Sequence, residues 1–141
     1  MKTAHQASRQ RAADRFQRVR DDHSREMAED YTELVLELGK EDLPVRPADL
    51  ARELGVSHVT VLRTLTRLER QSLLERDAES GVTLTRSGRR LAQAARRRHA
   101  IVVAFLQQIG VPLAQSESDA EGIEHHCSDV TLRRMRRFLR I

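Results

Sequence analysis

The 141-residue sequence has a single cysteine, no tryptophan, one tyrosine and three phenylalanines. One thiol, Cys127, closes no disulfide within the chain and builds no cysteine-rich zinc site. A secreted disulfide scaffold is therefore excluded, and any metal chemistry falls to histidine and carboxylate. Long apolar runs are missing as well. None approaches the ~18–20 residues of a membrane span, and residues 1–30 lack the apolar stretch of a secretory signal. Asp14, Asp21 and Asp22 interrupt the arginines of residues 1–25, which argues against an organellar transit peptide. These absences lead to the expectation of a soluble cytoplasmic protein with no membrane contact.

Charge is abundant: 25 basic against 21 acidic side chains leave a formal +4. Such a balance permits nucleic-acid binding without establishing it, so the position of the charge matters more than its sum. A chain of this length makes one domain or two small ones, and two halves of this size each bury a thin core. Oligomerisation is the natural completion.

Residues 1–25 read as a basic amino-terminal arm, with only a weak stripe of Phe16, Val19 and His23 to suggest partial helix. From Glu26 the apolar positions Met27, Tyr31, Leu34, Val35 and Leu38 recur at helical spacing up to Gly39, which predicts a helix over 26–39. The prolines of 43–47 make a connector, and Pro47 suits the first position of a short helix over 48–54. Gly55 then supplies a left-handed turn and Ser57 a cap for a helix over 58–71, which sends Val61, Leu65 and Leu68 inward. Short helix, glycine turn and second helix with a polar outer face form a helix-turn-helix, with Ala51, Gly55 and Val61 at its crossing.

Two alternating runs, 73–76 and 82–85, predict a hairpin, and with it a winged helix-turn-helix over 26–87. The remainder, 88–141, reads as all helical: a long helix over 88–108 capped by Thr85 or Ser87, then helices over 119–126 and 128–139. The fold class is thus mainly α, a winged helix-turn-helix DNA-binding domain plus a helical unit completed by pairing with a second copy.

Between Asp119 and Asp129 stand four carboxylates and two histidines with no lysine or arginine. Glu121, Glu124 and His125 occupy i, i+3 and i+4, so a helix places them on one face. Asp30 and Glu33 form another i, i+3 pair, and His99 follows three arginines in the long helix. Oxygen donors with imidazole and no thiolate suit Mn2+ and other fairly hard divalent ions. The plainer reading of an E-x-x-E-H run is a solvated helix face, and of His99 a surface residue or carboxylate partner. His126 and Cys127 read as packing residues.

A winged helix followed by Asp119-Ala120-Glu121-Gly122-Ile123-Glu124-His125-His126, with Asp30-Tyr31-x-Glu33 upstream and Arg98-His99 between, resembles the diphtheria toxin repressor family of metal-dependent repressors, in its manganese-responsive branch. The likeness covers roughly residues 26–139. It implies a binuclear Mn2+ centre, two ions per subunit, formed by Asp30, Glu33, His99, Glu121, Glu124 and His125. Asp30 and His99 would serve one ion and His125 the other, with the three glutamates placed to share or bridge. Iron-responsive relatives carry a softer ligand, Cys or Met, where this chain has Glu121, which favours a harder ion. Further implications are a metal-loaded homodimer and a palindromic operator in double-stranded DNA.

On the putting-together of helix and groove, Ser57, His58, Thr60, Arg63, Thr64 and Arg67 are the candidates for DNA contact, with the wing at 76–81 against the backbone. Arg63 and Arg67 either read guanine or neutralise phosphate, and His58 is either a contact or a helix-start residue. The arginines of 96–98 and 133–137 read as solvated surface. Two rival functions stand beside this one. A metal-dependent hydrolase of the H-x-x-E-H type would need histidine in place of Glu121, and paired Glu-x-x-His motifs of di-iron proteins are absent. A winged-helix regulator answering another metal or a small ligand differs only in its effector.

Overall fold

The fold is described from a computed structural model covering residues 2–141. Met1, the first residue of the expected arm, lies outside the described residues, and only backbone is described for residues 2, 3 and 41.

A single helix, α1, runs over Lys2–Leu38. The arm expected over 1–25 is therefore the first part of the helix expected to begin at 26. Its sequence contains neither glycine nor proline, and i, i+4 pairs such as Gln10 to Asp14 and Gln17 to Asp21, each 2.8 Å, support the exposed turns. Phe16 and Val19 remain 58% and 60% exposed, and the stretch meets α5 at its end, where Arg25 donates to the His125 carbonyl at 3.0 Å and Asp22 lies 3.8 Å from His126.

After a 3-10 turn at Lys40–Asp42, helices α2 (Pro47–Leu54) and α3 (His58–Arg70) form the helix-turn-helix. Gly55 takes φ 65°, ψ 32°, the left-handed turn expected of it. Ser57 caps α3 by accepting the Thr60 N–H at 3.1 Å. Strands β1 (Leu74–Asp77) and β2 (Gly81–Leu84) pair antiparallel, Leu74 opposite Leu84, each one residue from the expected frame. Val45, read from sequence as mere connector, exchanges two 2.8 Å hydrogen bonds with Val82 and so extends the wing.

Helix α4 (Arg86–Gln108) begins on a cap that belongs to Thr85, whose hydroxyl accepts the Gly88 N–H and donates to the Ser72 carbonyl. Gly88 is required by contact: a Cβ there would sit 1.8 Å from the Leu73 carbonyl oxygen. Helix α5 spans Leu113–His126, starting six residues before the expected 119 because Pro112 serves as its amino-terminal cap position as well as the break after α4. Helix α6 (Asp129–Leu139) starts from a Ser128 cap.

Two separate cores result. Tyr31, Val35, Leu50, Val61, Leu65, Leu68, Leu74 and Val82 fill the winged helix, while Val102, Val103, Ala120 and Leu132 join α4, α5 and α6. Helix α4 packs on α1 as well as on α5 and α6, and the middle of α1 meets α5. That three-helix junction sits between the two cores and holds the polar residues considered next.

Candidate metal centre

Burying carboxylates and imidazoles is costly unless they are paired, and the junction of α1, α4 and α5 pairs nearly all of them. His125, 1% exposed, places Nε2 at 3.0 Å from Asp30 Oδ1 and 3.4 Å from Glu124 Oε1. Its Nδ1 lies 2.8 Å from Glu29 Oε2. His99 faces Glu124 Oε2 through Nδ1 at 2.5 Å, with Glu121 Oε1 at 3.7 Å, and its Nε2 lies 2.7 Å from Glu117 Oε2. Glu124 thus sends one carboxylate oxygen to each imidazole.

Two donor groups emerge. Glu26, Asp30 and His125 bring ligand atoms within 4.8 Å of one another, as do His99, Glu121 and Glu124. Five of the six sequence-nominated donors therefore fall into these groups, but Asp30 goes with His125 and not with His99. The reason lies in the helices: Asp30 on α1 meets the carboxyl end of α5, whereas His99 on α4 faces α5 one to two turns earlier. Glu33 belongs to neither group, though its carboxyl feels Glu121, Arg96, His99 and Asp30.

The electrostatics suit a cation. Burial pushes the Glu124 carboxyl up to about 7, against the pull of His99 and His125. Burial alone would lower His125, yet its hydrogen bonds with Asp30 and Glu29 push it up to about 10. His99 is likewise raised, the Glu117 and Glu124 carboxylates overriding burial. Burial and then Glu121 raise Glu33. Each imidazole stands among carboxylates that favour its charged form, a place where a divalent ion is electrostatically favoured. The donors, imidazole with several carboxylates and no thiolate, fit a fairly hard divalent ion.

Sequence reasoning missed Glu26, Glu29 and Glu117. Glu26 stands four residues before Asp30, a spacing that could have found it. Glu117 stands four before Glu121 but was hidden by starting that helix at 119. Glu29 is fully buried and takes a 2.7 Å hydrogen bond from Arg98; no spacing rule singles it out. Arg98 is therefore not simply solvated surface. His126 contacts Glu26 at 3.4 Å on the exposed side, and Cys127 packs against the second core.

In the winged helix, His58, Thr60 and Arg63 are exposed on α3, with Ser57 held to Thr60 through both hydroxyls. Thr64 and Arg67 are half-buried, and two guanidinium nitrogens of Arg67 are buried with no hydrogen-bond partner among the described residues. Arg76 ties the wing to α3 through Glu69 and Thr66, at 3.3 and 3.1 Å.

A winged helix joined to a helical unit through such a centre defines the class of metal-dependent winged-helix regulators. The profile described as "Iron dependent repressor, metal binding and dimerisation domain" matches residues 85–140, and that of the HVO_A0261 N-terminal domain matches residues 32–104. The transcriptional regulator MntR of Escherichia coli O6:H1 is 45% identical over 87% of this chain and 79% of its own length. That of Salmonella typhimurium is 44% identical over 83% and 74%. Among solved structures, the manganese regulator SloR superposes with TM-score 0.69 at 29% identity, covering 80% of this chain and 53% of its own. A manganese-dependent transcriptional repressor in complex with manganese gives 0.68 at 32%, covering 79% and 52%. The chain spans about half the length of these two solved chains. It belongs to the diphtheria toxin repressor family of metal-dependent transcriptional regulators. Its curated relatives are regulators, and the hydrolase reading falls with that.

Proposed function

We propose that the protein is a Mn2+-responsive repressor of manganese-homeostasis genes, active as a homodimer on a palindromic operator in the cytoplasm. The observation that carries this reading is the origin of the donors: Glu26, Asp30 and Glu33 belong to α1, shared with the winged-helix core, His99 to α4, and Glu121, Glu124 and His125 to α5 of the dimerisation unit. Glu26, Asp30 and His125 would hold one ion, and His99, Glu121 and Glu124 a second, with Glu33 beside them. Bound there, Mn2+ supplies positive charge and oxygen-favouring coordination.

Without that charge, the carboxylates of α1 and α5 repel, and protonated His125 together with Arg25, which donates to the His125 carbonyl at 3.0 Å, holds the two helices together. With it, the α1 donors Glu26 and Asp30 and the α5 donor His125 would be drawn to one another, which would fix the winged helix relative to the dimerisation unit. In a twofold dimer this sets the two α3 helices near one DNA turn apart, ~34 Å, for successive major grooves. Ser57, His58, Thr60, Arg63, Thr64 and Arg67 are assigned to the groove and its phosphates. Metal raises DNA affinity only as far as it favours the DNA-competent geometry.

No helix among the described residues is long and apolar enough to cross a membrane. The test is to select genomic fragments with the protein and rebind them with Mn2+ or with chelator. Tight binding only with Mn2+ is expected; equal binding under both conditions overturns the metal-responsive reading and leaves a metal-independent DNA-binding regulator.

A further inference from the structure

Each histidine of the centre turns one ring nitrogen toward the converging donors, and a different carboxylate holds the other nitrogen from outside. For His99 the inner atom is Nδ1, facing Glu124 and Glu121, and the outer atom is Nε2, 2.7 Å from Glu117. For His125 the order is reversed: Nε2 faces Asp30 and Glu124, and Nδ1 is 2.8 Å from Glu29. An imidazole offers a metal only the nitrogen that carries no proton, and a hydrogen bond at the other nitrogen decides which that is. An ionised carboxylate only accepts, so once a metal takes the inner nitrogen the one proton left on the ring is held at the outer nitrogen, facing the outer carboxylate.

We propose, resting on the metal-centre reading above, that Glu117 and Glu29 are positioning residues outside the metal shell: they hold N–H on His99 Nε2 and His125 Nδ1, leaving His99 Nδ1 and His125 Nε2 for metal. The two grips differ in kind. Glu29 is buried, and Arg98, the neighbour of His99, fixes its second oxygen at 2.7 Å. Arg98 also neutralises Glu29, so that this carboxylate can stay in a buried place without competing for the cation. Glu117 has a side chain 53% exposed and no second protein partner in the described hydrogen bonds, so water weakens its hold. Chain adjacency links the two shells: Glu29 and Arg98 are next to Asp30 and His99 in sequence.

The experiment uses the full chain and the variants E117A, E117Q and E29Q. Mn2+ affinity is read from the free aqua-ion EPR signal, and imidazole tautomers from 15N NMR of the Zn2+-loaded, diamagnetic protein. Wild type should show N–H on His99 Nε2 and on His125 Nδ1. E117A should lose ~10-fold in Mn2+ affinity, the lower end of what outer-shell changes cost, with its apo thermal unfolding unchanged. E117Q keeps an accepting oxygen and should restore the tautomer and most of the affinity; if Glu117 were itself a ligand, E117Q would fail as E117A does. E29Q should lose closer to ~100-fold. Wild-type Mn2+ affinity in E117A, or N–H found on His99 Nδ1 in the loaded protein, overturns the proposal while the metal reading stands. Failure of wild type to bind Mn2+ overturns that reading and this proposal together.

Discussion

The His125 and His99 groups use the same residue types in opposite settings. His125 and its partner Glu29 are each 1% exposed or less, and the group spans α1 and α5, hence the winged helix and the dimerisation unit. His99 has a side chain 21% exposed, and its three carboxylate partners, Glu117, Glu121 and Glu124, all come from α5. One group crosses between the halves, and the other lies within the second half. Charge neutralisation therefore has two consequences. Under the proposed metal-responsive reading, at His125 it would set how the halves sit relative to each other, and at His99 how firmly the helical unit holds an ion. Glu124, with an oxygen toward each imidazole, is the point where the two consequences meet.

This contrast can be broken most severely at Asp30. Asp30→Ala removes the α1 carboxylate that faces His125 Nε2 at 3.0 Å, and metal-activated DNA binding should be lost while size-exclusion chromatography still reports the dimer. Retained activation would take Asp30 out of the centre. His99→Ala comes next: Mn2+ affinity should fall beyond the ~10–100-fold typical of outer-shell changes, yet saturating Mn2+ should still restore part of the DNA binding. Equal, complete loss in both variants would erase the distinction between a bridging group and a holding group.

A smaller effect, with a definite sign, comes from pH. The folded His125 is raised from 6.5 to about 10, so its contribution to apo stability is full below pH 6.5 and is lost as pH rises through about 10. Glu124, raised from 4.5 to about 7, stabilises the protonated apo fold below pH 4.5 and loses that contribution as pH rises through about 7. Mn2+ has to displace those protons, so its affinity should climb with pH over the same windows, up to ~tenfold per unit for each proton released. Chelated protein should thus unfold more easily from pH 6 to 9 while Mn2+ titrations tighten. Parallel trends would contradict the assignment. The mildest change is Glu121→Cys, at a side chain 68% exposed: competition titrations should shift the ranking toward Fe2+ or Co2+, and an unaltered ranking would deny Glu121 a part in selectivity.

Much of this architecture is legible in the residues because local chemistry and tertiary role coincide. Pro47, Gly55 and Ser57 act through their own backbone and caps, and the helix-turn-helix follows from them. Glu124 and His125 declare themselves through the helical face that each shares with Glu121. Glu29 does not, because its role depends on Arg98, 69 positions away, and on His125, 96 positions away, meeting it in a buried junction. Val45 is similar: its pairing with Val82 is set by the wing and not by the prolines around it. The amino-terminal turns of α1 escaped for another reason. With few apolar residues to repeat, they give a weak periodic signal, although nothing in them stops a helix that has already nucleated further along.

Those bare turns give the centre a lever. From Asp30 back to Ala4 a straight helix runs ~39 Å at its usual rise, and the part before residue 22 is held by no core. A tilt of ~5° about the Asp30 to His125 contact therefore carries the far end ~3 Å. Any change at the ligands that tilted α1 would be magnified at the tip, and a spin label on Ala4 would read it.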